Sequence, residues 1–254
     1  IKSSIDKFDV SVNLNNVSFM KKLGEQYAMI DFVGENPKVD VVELILLIAK
    51  NFGDNFEYQI IGSRAYGIKD SDYDIILIGD VEQEFFGYSF ASFAKMSPYF
   101  TYAKYIESKI PTINLILADN NEVNLIYQIR NKICSSVNNS IESVKEVYKL
   151  IGEKKDIFVK SYNLVRIWAK RRNIYGSKYG YFNGVTWLIL TLNLFLKIEV
   201  KNEKMFIRKF FEYYRDYDWK IPVNIKNLSV KRETKSDELV YICNVIDKDK
   251  LVRT

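Results

Sequence analysis

The sequence predicts an α+β chain: a first half that mixes strands with helices, then a half that is mainly helical. Three observations carry this reading. Short alternating apolar segments, the mark of half-buried strands, gather before residue 138. Turn residues such as Gly53, Gly62 and Asp119-Asn120-Asn121 cut that half into short pieces. Beyond it, apolar residues recur every three or four positions over long segments, as on one face of a helix. Residues 1–137 and 138–254 are therefore expected to form two units.

Residues 1–20 are polar and weakly patterned. Asp40 to Phe52 has apolar residues at helical spacing and is ended by Gly53. Glu57 to Ser63, "EYQIIGS", reads as a strand entering a glycine turn, and Tyr73 to Ile78, "YDIILI", as a second strand. Ser89 to Ala94 fits a helix. Thr112–Ala118 and Glu122–Ile129 flank the Asp119-Asn120-Asn121 turn and read as a hairpin. Ile141–Ile151, Ile157–Lys170, Val185–Ile198 and Met205–Tyr214 follow the helical period. Leu239 to Ile246, "LVYICNVI", is again strand-like.

Of 254 residues, 48% are hydrophobic and 27% charged, which is enough apolar material for a sizeable core. The net charge of +5 permits a nucleic-acid partner without requiring one. There is no histidine, which excludes histidine-based triads and histidine metal ligands. The two cysteines form no Cys-x-x-Cys pair, so a reducing intracellular compartment, nucleus or cytoplasm, is expected rather than a disulfide or zinc framework. The longest apolar run, Val185 to Ile198, falls short of the roughly 20 residues of a membrane span and reads as a buried helix, so no membrane partner is expected. Nothing at the start reads as a signal peptide.

Chemistry must then come from carboxylates, lysine, tyrosine or a bound metal, and Ile60 to Ile78, "IIGSRAYGIKDSDYDIILI", supplies a candidate. Asp72 and Asp74 are two residues apart in a strand pattern and so face one way. Two such charges repel unless a cation lies between them, and hard oxygen ligands suit Mg²⁺ or Mn²⁺. Ten residues upstream, Gly62-Ser63 forms a turn whose backbone and hydroxyl suit a phosphate. Strand, Gly-Ser turn, spacing and Asp-x-Asp together resemble the nucleotidyltransferase superfamily that includes DNA polymerase β.

A second segment, Leu164 to Leu190, reads as a basic-ended amphipathic helix, a link rich in glycine and aromatic residues, then a buried helix. Trp168-Ala169-Lys170-Arg171, Tyr175 and Gly184-Val185-Thr186-Trp187 within it, with Phe85–Phe93, Lys109–Leu117 and Lys209–Val223, resemble the eukaryotic-type nuclear poly(A) polymerases, in order from Gln59 to Val223. The resemblance implies a polymerase β-like nucleotidyltransferase domain with a mixed sheet, followed by a poly(A) polymerase central domain. It implies a polynucleotide adenylyltransferase acting in mRNA polyadenylation, which transfers AMP from ATP to RNA 3′ ends with two metal ions. In that family Asp72 and Asp74 would hold Mg²⁺ or Mn²⁺, Gly62 and Ser63 would cradle the triphosphate, and Tyr175, Gly184 and Val185 would line the nucleotide site. Arg166 stands where the family has a phosphate-binding lysine, and Ser177 where it has a nucleotide-binding asparagine. The partners implied are ATP, an RNA 3′ end and a protein that supplies further RNA binding.

The family's third aspartate aligns with Asn124, a neutral ligand in place of a charged one. Three readings stand side by side. The residue is a substitution that traps substrate, or marks a naturally inactive subunit, or the register differs and Asp119 supplies the ligand. Catalysis by this chain is expected to be impaired under the first two. A terminal uridylyl or other nucleotidyltransferase, suggested by Ser177, and a non-catalytic RNA-binding or partner subunit, suggested by Asn124, are the alternatives.

Overall fold

The computed structural model describes residues 40–69, 71–219, 221 and 223–225. Among these, helix α1 (Val41–Ala49) starts where Asp40 accepts hydrogen bonds from the amides of Val42 and Glu43, satisfying the first-turn donors. Strand β1 (Glu57–Ile61) runs into a one-turn helix α2 (Gly62–Ala65), then β2 (Tyr73–Gly79), α3 (Gln83–Met96), β3 (Phe100–Ile106), β4 (Thr112–Leu117) and β5 (Glu122–Ile129). The sheet order is β1-β2-β5-β4-β3, with β2 and β5 parallel and the other pairs antiparallel, a mixed sheet as expected. The β4–β5 hairpin forms, with Asn120 taking the left-handed conformation in its turn.

Two elements differ from expectation. Strand β3 was not expected, because a bulge between Phe100 and Tyr102 breaks its alternation and leaves only Phe100 and Ala103 fully buried. Helix α3 is longer than Ser89–Ala94, since Phe86 already packs on the sheet and stacks on Tyr127 at 4.0 Å. Gly87 masks that turn in the sequence; the Tyr105 ring occupies the space its Cβ would need.

The helical part comprises α4 (Ser135–Ile151), α5 (Lys155–Arg171), α6 (Gly184–Phe195) and α7 (Glu203–Arg215). Helix α4 begins before Ile141 because its first turns carry a single buried apolar residue, Val137, too little to register as a period. No helix among the described residues is long and apolar enough to cross a membrane. The strand-like Leu239–Ile246 lies outside the described residues.

Packing positions the site. One sheet face, bearing Ile75, Leu77, Val123 and Leu125, is covered by α1 and α3. On the other face Ile76 and Ile78 meet Val137 and Ile141 of α4. The same helix continues into the helical core with Val144, Val147 and Ile151. Tyr66 and Ile68, just past α2, are buried in that helical core too. The Gly62-Ser63 turn is thereby clamped between sheet and helices, and the Tyr148 hydroxyl donates to the Ala65 carbonyl from α4.

Candidate functional site

The parallel register of β2 and β5 sets Asp74 opposite Asn124, and β4 sets Asn114 opposite Asn124. With Ile75, Leu77, Val123 and Leu125 committed to the α1/α3 face, Asp74, Asn124 and Asn114 share the other. Asn124 Nδ2 donates to Asp74 Oδ1 at 2.9 Å. Burial raises the Asp74 carboxyl above the usual carboxylate range, the Asn124 donation opposes this, and the Asp72 charge raises it further.

Asp72 is not on the strand. It lies exposed in the residue before β2, where pairing begins only with Tyr73 and Val123. Arg64 holds this approach: its Nε donates to the Ser71 carbonyl at 2.7 Å and its guanidinium lies 3.4 Å above the Tyr73 ring. The Asp119 carboxylate accepts from the backbone and side-chain nitrogens of Asn121, which engages it within the hairpin turn. Among the described residues no three His, Cys, Asp or Glu side chains cluster as a metal-ligand group. The oxygen set present is Asp72, Asp74 and the Asn124 amide. Its chemistry fits one hard divalent cation with two charged ligands and one neutral one.

Gly62 sits at φ +65° beside this row, and a Cβ there would collide with the Asp74 carboxylate. Only glycine allows both the conformation and the approach. Gly62→Ala is expected to cost about 1–2 kcal/mol from the left-handed backbone alone, and to displace Asp74. Thermal unfolding together with Mn²⁺ titration checks this; unchanged stability and metal binding would show that the turn is not closed on Asp74.

The helical side begins one residue on. Ser63 hydrogen-bonds the hydroxyl of Tyr162 on α5, and that hydroxyl donates to the Gly184 carbonyl at 3.1 Å. Burial, with the nearby Tyr175 adding to it, pushes Tyr162 up to about 12, so it stays a neutral donor. One helical turn further, Arg166 is 3% exposed, with Nε and Nη1 lacking any hydrogen-bond partner. Its guanidinium lies 5.9 Å from the Tyr175 ring, and Lys170 Nζ lies 5.4 Å from the same ring.

Helix α5 closes with Asn173 in the left-handed conformation and Ile174 N bonded to the Ala169 carbonyl, which turns Tyr175 back over the helix. The Tyr175 hydroxyl lies 2.7 Å from where a Cβ on Gly184 would be, so a larger residue at 184 would push the ring away. Asn183 caps α6 through the Thr186 amide, and Val185 is left 50% exposed on its first turn. Ser177 is exposed, at the start of a 3₁₀ turn in the link.

The structure thus joins Asp74, Gly62, Ser63, Arg166, Tyr175 and Gly184 into one chain of neighbours, with Asn124 on the strand side. Sequence reasoning did not single out Tyr162, Asn114 or Arg64. Tyr162 had a signal, being four residues before Arg166 and hence on the same helix face. Asn114 and Arg64 had none, since their partners come from strand register and loop path.

The chain is similar to several known proteins. The sequence model of the poly(A) polymerase central domain matches residues 157–252. The Candida albicans poly(A) polymerase PAPalpha is 26% identical over 119 residues, which are 47% of this chain and 21% of that protein. The matched part spans about a fifth of the curated relatives, 21% and 19% of their lengths. The structure of the poly(A) polymerase complex GLD-2–GLD-3 superimposes with TM-score 0.53 at 14% identity, covering 82% of this chain and 77% of that one. Terminal uridylyl transferase 4 from Trypanosoma brucei superimposes with TM-score 0.53 at 11% identity, covering 70% and 68%. These two likenesses show the fold alone, a mixed α+β fold of the polymerase β type. Through its fold, the matched central-domain region and the curated relatives, this chain is similar to the poly(A) polymerase-like nucleotidyltransferases.

Proposed function

We propose that the chain binds ATP between the Gly62-Ser63 turn and helices α5 and α6, and that it is a poly(A) polymerase-type adenylyltransferase slowed by Asn124. The observation that carries this is Arg166. A guanidinium that is 3% exposed, with two nitrogens unpartnered, is costly to bury unless an anion completes it. It lies on the helix face that meets the Gly-Ser turn through Tyr162, where a triphosphate would reach both.

In this reading Gly62 and Ser63 bind phosphate oxygens, Ser63 exchanging its bond to Tyr162 for one to the nucleotide. Arg166 neutralises the phosphates as a planar fork rather than a point charge. Tyr175 and Val185 flank the base. Asp72 and Asp74 would hold Mg²⁺ or Mn²⁺; a bound cation supplies positive charge for the phosphate oxygens and the leaving group. The RNA 3′ oxygen bonds to the α-phosphorus, the bond to the β-phosphate oxygen breaks, and pyrophosphate leaves with the electron pair. The hydroxyl also has to lose its proton, which passes to solvent water at the exposed Asp72 edge. Asn124 presents a neutral amide beside that hydroxyl, with its nitrogen toward Asp74, and can neither accept a proton at neutral pH nor balance a second cation.

Ser177 in the exposed link offers a hydroxyl where an amide would read the base edge, so a uridylyl transferase is the alternative that the test has to separate. The test is binding and extension with each of the four nucleoside triphosphates and a single-stranded RNA acceptor. ATP is expected to bind, with slow AMP addition. Preferential UTP binding and U tails would reassign the substrate, and absence of any triphosphate binding would overturn the reading.

A further inference from the structure

The link between α5 and α6 holds two tyrosines that the nucleotide site does not use. Tyr179 is 71% exposed and Tyr181 43% exposed. The loop that carries them is internally tied: Gly176 N donates to the Phe182 carbonyl at 2.9 Å, Tyr181 N to the Gly176 carbonyl at 3.2 Å, and Gly180 N to the Ser177 carbonyl at 3.0 Å. Phe182 anchors its far end edge-on against Trp187, at 5.3 Å. The two rings are therefore held outward by a fixed backbone, although their apolar surface would be better buried.

The charge around them is one-sided. From Ile157 to Ile198 the sequence has seven lysines and arginines and no aspartate or glutamate, whereas the whole chain nets only +5. Arg171, Arg172 and Lys178 are exposed and form no ion pair among the described residues. Preorganised exposed aromatics beside unpaired cations match the chemistry of a single-stranded nucleic acid, whose bases stack and whose phosphates need neutralising. A protein partner would need no such acid-free segment.

We infer that Tyr179 and Tyr181, with Arg171, Arg172 and Lys178, form a binding platform for single-stranded RNA next to the nucleotide site. The bases stack on the two rings and the phosphates lie on the cations. This rests on the reading above that RNA is the acceptor. The platform serves to retain the strand whose 3′ end enters the site past Val185 and Tyr175.

The test measures anisotropy of a labelled single-stranded oligoadenylate, with ATP titrated separately on the same protein. Tyr179→Ala combined with Tyr181→Ala is expected to weaken RNA binding by roughly fivefold or more per stacked base, with ATP affinity and thermal unfolding unchanged. The corresponding Phe variants keep RNA binding, because the ring rather than the hydroxyl stacks. Lys178→Ala lowers the steepness with which affinity falls as salt rises. RNA affinity unaltered in the double Ala variant overturns the platform. So does failure of the parent protein to bind RNA; in that case intact ATP binding leaves the proposed function standing, while loss of both removes it as well.

Discussion

Asn124→Asp is expected to raise AMP transfer by orders of magnitude while changing ATP affinity little. A third carboxylate beside Asp72 and Asp74 would complete an anionic set at the acceptor hydroxyl, and such a group acts on the transition state more than on bound ATP. The substitution has a second readout. Asn124 now donates to Asp74 Oδ1 at 2.9 Å, and the aspartate would replace that bond with repulsion. The metal-free variant should lose about 1.5–3 kcal/mol, the worth of a hydrogen bond to a charged group. Mn²⁺ or Mg²⁺ should restore this, giving the variant a larger metal-dependent rise in Tm than the parent shows. Primer extension and thermal unfolding with and without metal measure both effects. Long tails made by the parent at ordinary Mg²⁺ would show that Asn124 does not stand at the third-ligand position.

Arg166→Met should move stability and nucleotide affinity in opposite directions. The guanidinium is buried with Nε and Nη1 unpartnered, so the ligand-free fold carries an uncompensated charge. An apolar side chain of similar length removes that cost, with a gain of about 1–4 kcal/mol by analogy with buried ion pairs replaced by hydrophobic residues. ATP should bind on the order of 10- to 100-fold more weakly, the loss expected for hydrogen bonds to a charged group. Arg166→Lys should lie between, keeping a charge and losing the fork. Calorimetric titration with ATP, read beside Tm, separates the two effects. A variant both less stable and unchanged in ATP affinity would make Arg166 a structural residue only.

The features legible in the sequence were those written in local pattern. Period two before residue 138, period three to four beyond it, and turn residues between them placed four of the five described strands and most of the helices. The Gly62-Ser63 turn and the Asp72/Asp74 pair stood out by spacing alone, and Asn124 by its alignment with the third aspartate of the family that the sequence resembles. Tertiary structure decided the rest. Strand β3 is held by pairing with β4 across a bulge that erases its period. Asp72 leaves the strand because Arg64 binds the loop before it. Asn124 turns its nitrogen, not its oxygen, to Asp74 because the register of two strands 50 positions apart brings an amide against a carboxylate. Arg166 is buried and Tyr162 joined to Ser63 because the residues after α2 sink into the helical core. A local period states which face of an element is apolar. It does not state which distant element covers that face, and burial, register and the partners of polar groups are set by that covering element.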